Sequence, residues 1–143
     1  YLIPVDSKMN QQREIEIEAV NAQSVVNSLS RVTDGVKILI LDACRNNPFR
    51  SYSRDISGGL AQISAPIGTF IAYSTAPGEI ALDGTSKGYG IYTGNLINAL
   101  NTPGLTIEQI FKRTRMDVAG VTEGRQIPWE SSSLIGDFYF SKD

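Results

Sequence analysis

One short run concentrates the residues best suited to chemistry: Asp42-Ala43-Cys44-Arg45, which sets a carboxylate two positions from the only thiol in the chain. A thiol attacks carbonyls as its thiolate, and a carboxylate neutralises a cation. On an extended segment, residues two apart share a face, so both groups would project into one cleft. A carboxylate buried at a strand end is costly without a positive partner. If no protein cation supplies one, a substrate Arg or Lys fits. The plainer reading makes Cys44 a small buried hydrophobe and Asp42 a cap or turn former.

Composition narrows the chemistry. The 143 residues contain no His, so neither Ser-His-Asp nor Cys-His catalysis can be assembled from them alone, and no His-containing zinc site can form. A single Cys excludes an internal disulfide. With 13 Lys+Arg against 15 Asp+Glu, the chain has no basic surplus to draw it to nucleic acid. No apolar run approaches the roughly 20 residues that span a bilayer. Any metal would be a hard ion held by oxygens, yet the acidic residues lack calcium-loop spacing. The chain opens at Tyr1-Leu2-Ile3-Pro4, without an initiator Met or the order of a secretory signal, and is expected to be a piece of a longer product.

Several elements must position the Asp-Ala-Cys-Arg run. Ile15, Ala19, Ala22, Val26 and Leu29 fall at helical spacing, which predicts a helix over about 12–30. Its start is ambiguous, because Glu14-Ile15-Glu16-Ile17-Glu18 also alternates like a strand. After Asp34-Gly35, the run Val36 to Leu41 is apolar on both faces and suits a central parallel strand covered on both sides. Residues 45–66 read as a long loop that is functional or exposed to processing. Gly68 to Ser74 reads as a second buried strand, followed by a Pro77-Gly78 turn and a glycine-rich stretch to Gly90. Helices are expected over about 91–101 and 106–121. The second opens on the capping box Thr106-Ile107-Glu108-Gln109 and carries an apolar stripe of Ile107, Ile110, Phe111, Val118 and Val121. Lys112, Arg113 and Arg115 read as its solvated face, and Gly136 to Phe140 as a short strand.

Alternating strands and helices imply an α/β layered fold with a mostly parallel sheet, in which sites lie at the carboxyl ends of strands. Asp42 and Cys44 occupy that place. The glycine-rich run Gly88 to Gly94 has one residue too many for a dinucleotide fingerprint and does not directly follow a strand.

The continuation Leu41-Asp42-Ala43-Cys44-Arg45-Asn46-Asn47-Pro48-Phe49 resembles the nucleophile segment of bacterial caspase-like peptidases, relatives of metacaspases and paracaspases in peptidase family C14. Tyr1-Leu2-Ile3-Pro4-Val5-Asp6 resembles the segment that follows the catalytic His in that family. Gly68 to Gly78 and Ala81-Leu82-Asp83-Gly84 resemble the strand, turn and loop flanking its substrate cleft. Tyr92-Thr93 and Gln126 to Ser133 resemble its later signatures.

The resemblance implies a caspase-like layered fold in which Cys44 is the nucleophile and its backbone N–H an oxyanion donor. It implies that Asp42 is the acid of the primary specificity pocket, selecting Arg or Lys, whereas true caspases carry Gln there and cut after Asp. Ser74 and Asp83 are further candidate pocket members. No cofactor is expected; the calcium dependence seen among metacaspases is a family trait that the acidic spacing here does not carry over. The catalytic His should lie about 50 residues before Cys44, which is just upstream of residue 1. The chain is thus expected to be the carboxyl-terminal portion, 1–143, of one peptidase domain, lacking its first strands and not active as this fragment alone. Its expected partners are the upstream half of that domain, on the same chain or a separate one, and a protein or peptide substrate with a basic residue at the cut, with no nucleic acid and no membrane. Arg50 and Arg54, in the long loop, are candidate self-processing sites. Two other readings are open: a pseudopeptidase that uses the same fold as a binding or scaffold module, and an unrelated α/β binding domain with a structural Cys.

Overall fold

The computed structural model of the chain describes residues 1–32, 34–43, 63–82 and 88–142. Three strands form one sheet in the order β1-β2-β3, with β1 at Lys37–Leu41, β2 at Thr69–Tyr73 and β3 at Trp129–Ser132. β1 and β2 pair in parallel, Lys37 opposite Thr69 and Leu41 opposite Tyr73. β3 runs antiparallel to β2, with Tyr73 opposite Trp129 and Phe70 opposite Ser132. The sheet is mixed α/β and mostly parallel, as the strand–helix alternation predicts.

β2 is the central strand, and all five of its residues are buried. Its alternation divides the core. Phe70 and Ala72 face a cluster built with Tyr92, Leu96 and Ala99 from α3 (Ile91–Leu100) and with Ile107, Ile110, Phe111 and Val118 from α4 (Ile107–Val121). Ile71 and Tyr73 face the opposite layer, where they meet Leu41, Ile63, and Ala22 and Val26 of α2 (Ala22–Val32). A strand with large apolar side chains on both faces is stable only between two such layers. The Phe70 and Phe111 rings pack tilted with centroids 4.8 Å apart, anchoring α4 to the sheet. The capping box forms as expected: the Thr106 hydroxyl accepts from the Gln109 N–H, and the Gln109 side chain accepts from the Thr106 N–H. In the Pro77-Gly78 turn, Glu79 N–H donates to Ala76 O and Gly78 takes φ +83°, a conformation that favours glycine.

Four expectations are corrected. The first helix is interrupted: Gln12–Glu14 form a 3-10 turn, α1 covers only Ile15–Glu18, and Ala19 is extended. Val20 instead exchanges both backbone hydrogen bonds with Leu2 across an antiparallel bridge, and Asn21 restarts the helix by accepting the N–H groups of Gln23 and Ser24. β1 is an edge rather than a central strand among the described residues, leaving Ile40 and Val36 exposed. Residues 136–140 form no strand, because Tyr139 meets Thr106 at the start of α4 in an isolated bridge rather than a neighbouring strand. On α4, Val121 lies outside the buried stripe, at 62% exposure.

Phe111→Ala is therefore expected to destabilise the fold by about 3–5 kcal/mol through the cavity it leaves, while Val121→Ala changes stability by less than about 0.5 kcal/mol. Chemical denaturation midpoints of the two variants check this contrast.

Candidate active site

The parallel register brings the carboxyl ends of β1 and β2 to one level. Immediately beyond β1 stands Asp42, and immediately beyond β2 stands Ser74, whose N–H donates to Leu41 O at 2.9 Å. The Asp42 side chain is exposed, and its Oδ2 accepts a hydrogen bond from the Thr93 hydroxyl of α3 at 2.5 Å. The carboxylate expected to be buried at the strand end is instead exposed and held by a neutral donor. The ion pairs among the described residues are Arg113–Asp117 and Arg115–Glu130, so no described cation neutralises Asp42.

Ser74 is fully buried. Its Oγ accepts from the Ala43 N–H and donates to the Ala43 carbonyl, each at 3.2 Å, so one hydroxyl brackets the residue that precedes Cys44. The Ser74 carbonyl in turn accepts from Gln126 Nε2 at 2.8 Å. Gln126 Oε1 accepts the Leu82 N–H at 2.9 Å, and its side chain is buried to 1% exposure. A single buried amide thus ties the end of β2 to the segment that leads toward Asp83. The chain reaches that point by reversing after α4, where Glu123 and Gly124 take positive φ and Gly124 N–H closes onto Ala119 O. The Thr122 hydroxyl accepts the Gln126 N–H at 3.1 Å and fixes the approach.

The other wall is the start of α3. Gly90 lies so close to Asp42 that a Cβ there would sit 3.1 Å from Oδ2. Tyr92 is buried, and its hydroxyl has no hydrogen-bond partner among the described residues. Burial, with the Asp42 charge second, raises the Tyr92 phenol above its ordinary range and keeps it neutral. Trp129 stands opposite Tyr73 at the same end of the sheet, 47% exposed rather than anchored in the core.

Of the residues singled out by sequence, Asp42 and Ser74 are brought together, while Cys44 and Asp83 lie outside the described residues, as do Arg50 and Arg54. Thr93, Gly90 and Gln126 acquire roles that their residue types alone did not suggest. Their signal was position: Thr93 falls in the first turn of a helix that follows a glycine-rich stretch, and Gln126 comes five residues after a helix ends. Arg115, expected on a solvated face, instead donates to Pro128 O and pairs with Glu130, joining α4 to β3. Among the described residues no cluster of three acidic, Cys or His side chains could hold a metal ion, and no helix is long and apolar enough to cross a membrane.

Gln126→Leu keeps much of the volume but leaves the Ser74 carbonyl and Leu82 N–H unpaired, and is expected to destabilise the protein by about 2–4 kcal/mol. Thermal melts beside those of an exposed control such as Gln11→Leu check the value.

No curated protein matches the chain. The family model described as the caspase domain, peptidase C14, matches residues 1–139, a span that takes in the sheet, α2 to α4 and every site residue named above. The chain belongs to the caspase-domain family of cysteine peptidases.

Proposed function

We propose that the chain carries the nucleophile and part of the specificity pocket of a metacaspase-like endopeptidase that cuts after Arg or Lys. The observation that carries this reading is the state of Asp42: a carboxylate at the carboxyl end of β1, two residues before Cys44, exposed and unpaired with any described cation. A charge at a strand end without a described counter-ion is suited to a cationic ligand. A substrate Arg or Lys side chain would meet it while the scissile carbonyl lies near Cys44.

The chemistry then follows thiol-peptidase logic. The Cys44 thiolate adds to the carbonyl carbon, and the oxyanion is stabilised by the backbone N–H of Cys44. Collapse breaks the C–N bond, the leaving amine takes a proton from the imidazolium, and water hydrolyses the resulting thioester with imidazole as the base. The His belongs to the segment upstream of residue 1, in keeping with the absence of any His in this chain. The backbone edge of β1 that pairs with no described strand is where further strands of that upstream half would add. Ser74 contributes by bracketing Ala43, the residue that precedes the nucleophile in sequence.

With the full-length gene product, fluorogenic peptides ending in Arg are expected to be cleaved at least about 100-fold faster than those ending in Asp, since the wrong charge meets Asp42. Cys44→Ala should abolish cleavage. Cleavage after Asp would keep the family and overturn the pocket assignment. Absence of cleavage after either, with and without calcium, would favour the pseudopeptidase reading.

A further inference from the structure

α3 does more than cover the sheet: its first turn sets where the Asp42 carboxylate points. Thr93 Oγ1 donates to Oδ2, and among the described residues Oδ1 carries no hydrogen bond. Gly90 closes the same side, because a Cβ there would lie 3.1 Å from Oδ2 and 3.8 Å from Leu82 O. Its backbone does not require glycine, since φ −59° and ψ 157° suit any residue. The close approach favours it, because a Cβ there would press on Oδ2. Ile91 N–H donates to Leu82 O, and Leu82 N–H is held by Gln126, so this wall is fastened to the end of β2.

A neutral donor and a cation would act differently on such a carboxylate. An Arg or Lys partner would fix its orientation and cancel its charge together. A hydroxyl fixes the orientation and leaves the charge for the ligand. A carboxylate already ordered in the free protein loses less rotational freedom when the ligand arrives.

We propose that Thr93 is a positioning residue for basic-residue selectivity, holding Asp42 by Oδ2 in the space that Gly90 leaves open, so that Oδ1 and a charge that no described cation cancels receive the substrate guanidinium or ammonium. This rests on the assignment of Asp42 to the specificity pocket. Thr93 touches the substrate only through Asp42, so its effect belongs in KM for charged substrates and not in the chemical step.

The test compares full-length gene product on two peptides that differ only at the cleaved residue, Arg or its neutral isostere citrulline. Thr93→Val keeps the β-branched shape and removes the donor. It is expected to lower the Arg-to-citrulline ratio of kcat/KM about tenfold, through KM for the Arg peptide. Thr93→Ser, which restores the donor, should keep the wild-type ratio within about threefold. Gly90→Ala crowds Oδ2 and should lower the ratio independently. A wild-type ratio in both Thr93→Val and Gly90→Ala, or an equal fall on both peptides, overturns the inference and leaves the pocket assignment standing. Wild-type protein that does not prefer Arg over citrulline overturns both.

Discussion

The in-register parallel pairing of β1 with β2 is the constraint on which the site depends. Because Leu41 stands opposite Tyr73, the residues just beyond each strand, Asp42 and Ala43 on one side and Ser74 on the other, emerge side by side. The Ser74 hydroxyl can then bond both polar groups of the Ala43 backbone, which it could not do after a slip of one residue. β2 maintains this register because it has no freedom to shift: Phe70 and Ala72 are packed into the α3–α4 layer, Ile71 and Tyr73 into the α2 layer. A slip would exchange those two sets of side chains between cores of different shape.

Polar fastening complements that packing. Gln126 links Ser74 to Leu82, Leu82 bonds Ile91 at the start of α3, and Thr93 on that helix reaches Asp42. The path closes a ring from the end of β2, through the loop and helix, back to the end of β1. Every bond in it is made by a neutral donor, so the ring orders Asp42 without introducing a positive charge beside it. In a caspase-domain protein this combination of rigidity and retained negative charge is what a pocket for a cationic side chain needs.

Much of this was legible in local sequence, and what was not depends on distant partners. The buried run Thr69–Tyr73, the Thr106 capping box and the Pro77-Gly78 turn are each encoded by neighbouring residues, and each formed where the pattern put it. The place of Asp42 at the carboxyl end of β1 was legible in the apolar run that precedes it. The break at Ala19 was hidden because it follows from Leu2, eighteen residues before Val20. β3, with the sequence Trp-Glu-Ser-Ser, has no apolar alternation; it is a strand because β2 offers it an edge and Arg115 holds Glu130. Thr93 and Gln126 stand in family-like segments of the sequence, but their partners Asp42 and Ser74 lie 51 and 52 residues away and only the fold brings them together.

The central claim is that Asp42 and Cys44 serve one site, the first binding a basic side chain while the second attacks. Its most direct test is to treat the full-length gene product with peptidyl chloromethyl ketones ending in Arg or in Asp, and to map the adduct by mass spectrometry. The account predicts alkylation at Cys44 more than about tenfold faster by the Arg reagent, with that preference lost in Asp42→Ala. Labelling of Cys44 at equal rates by both reagents, or an Arg preference that survives in Asp42→Ala, would contradict it.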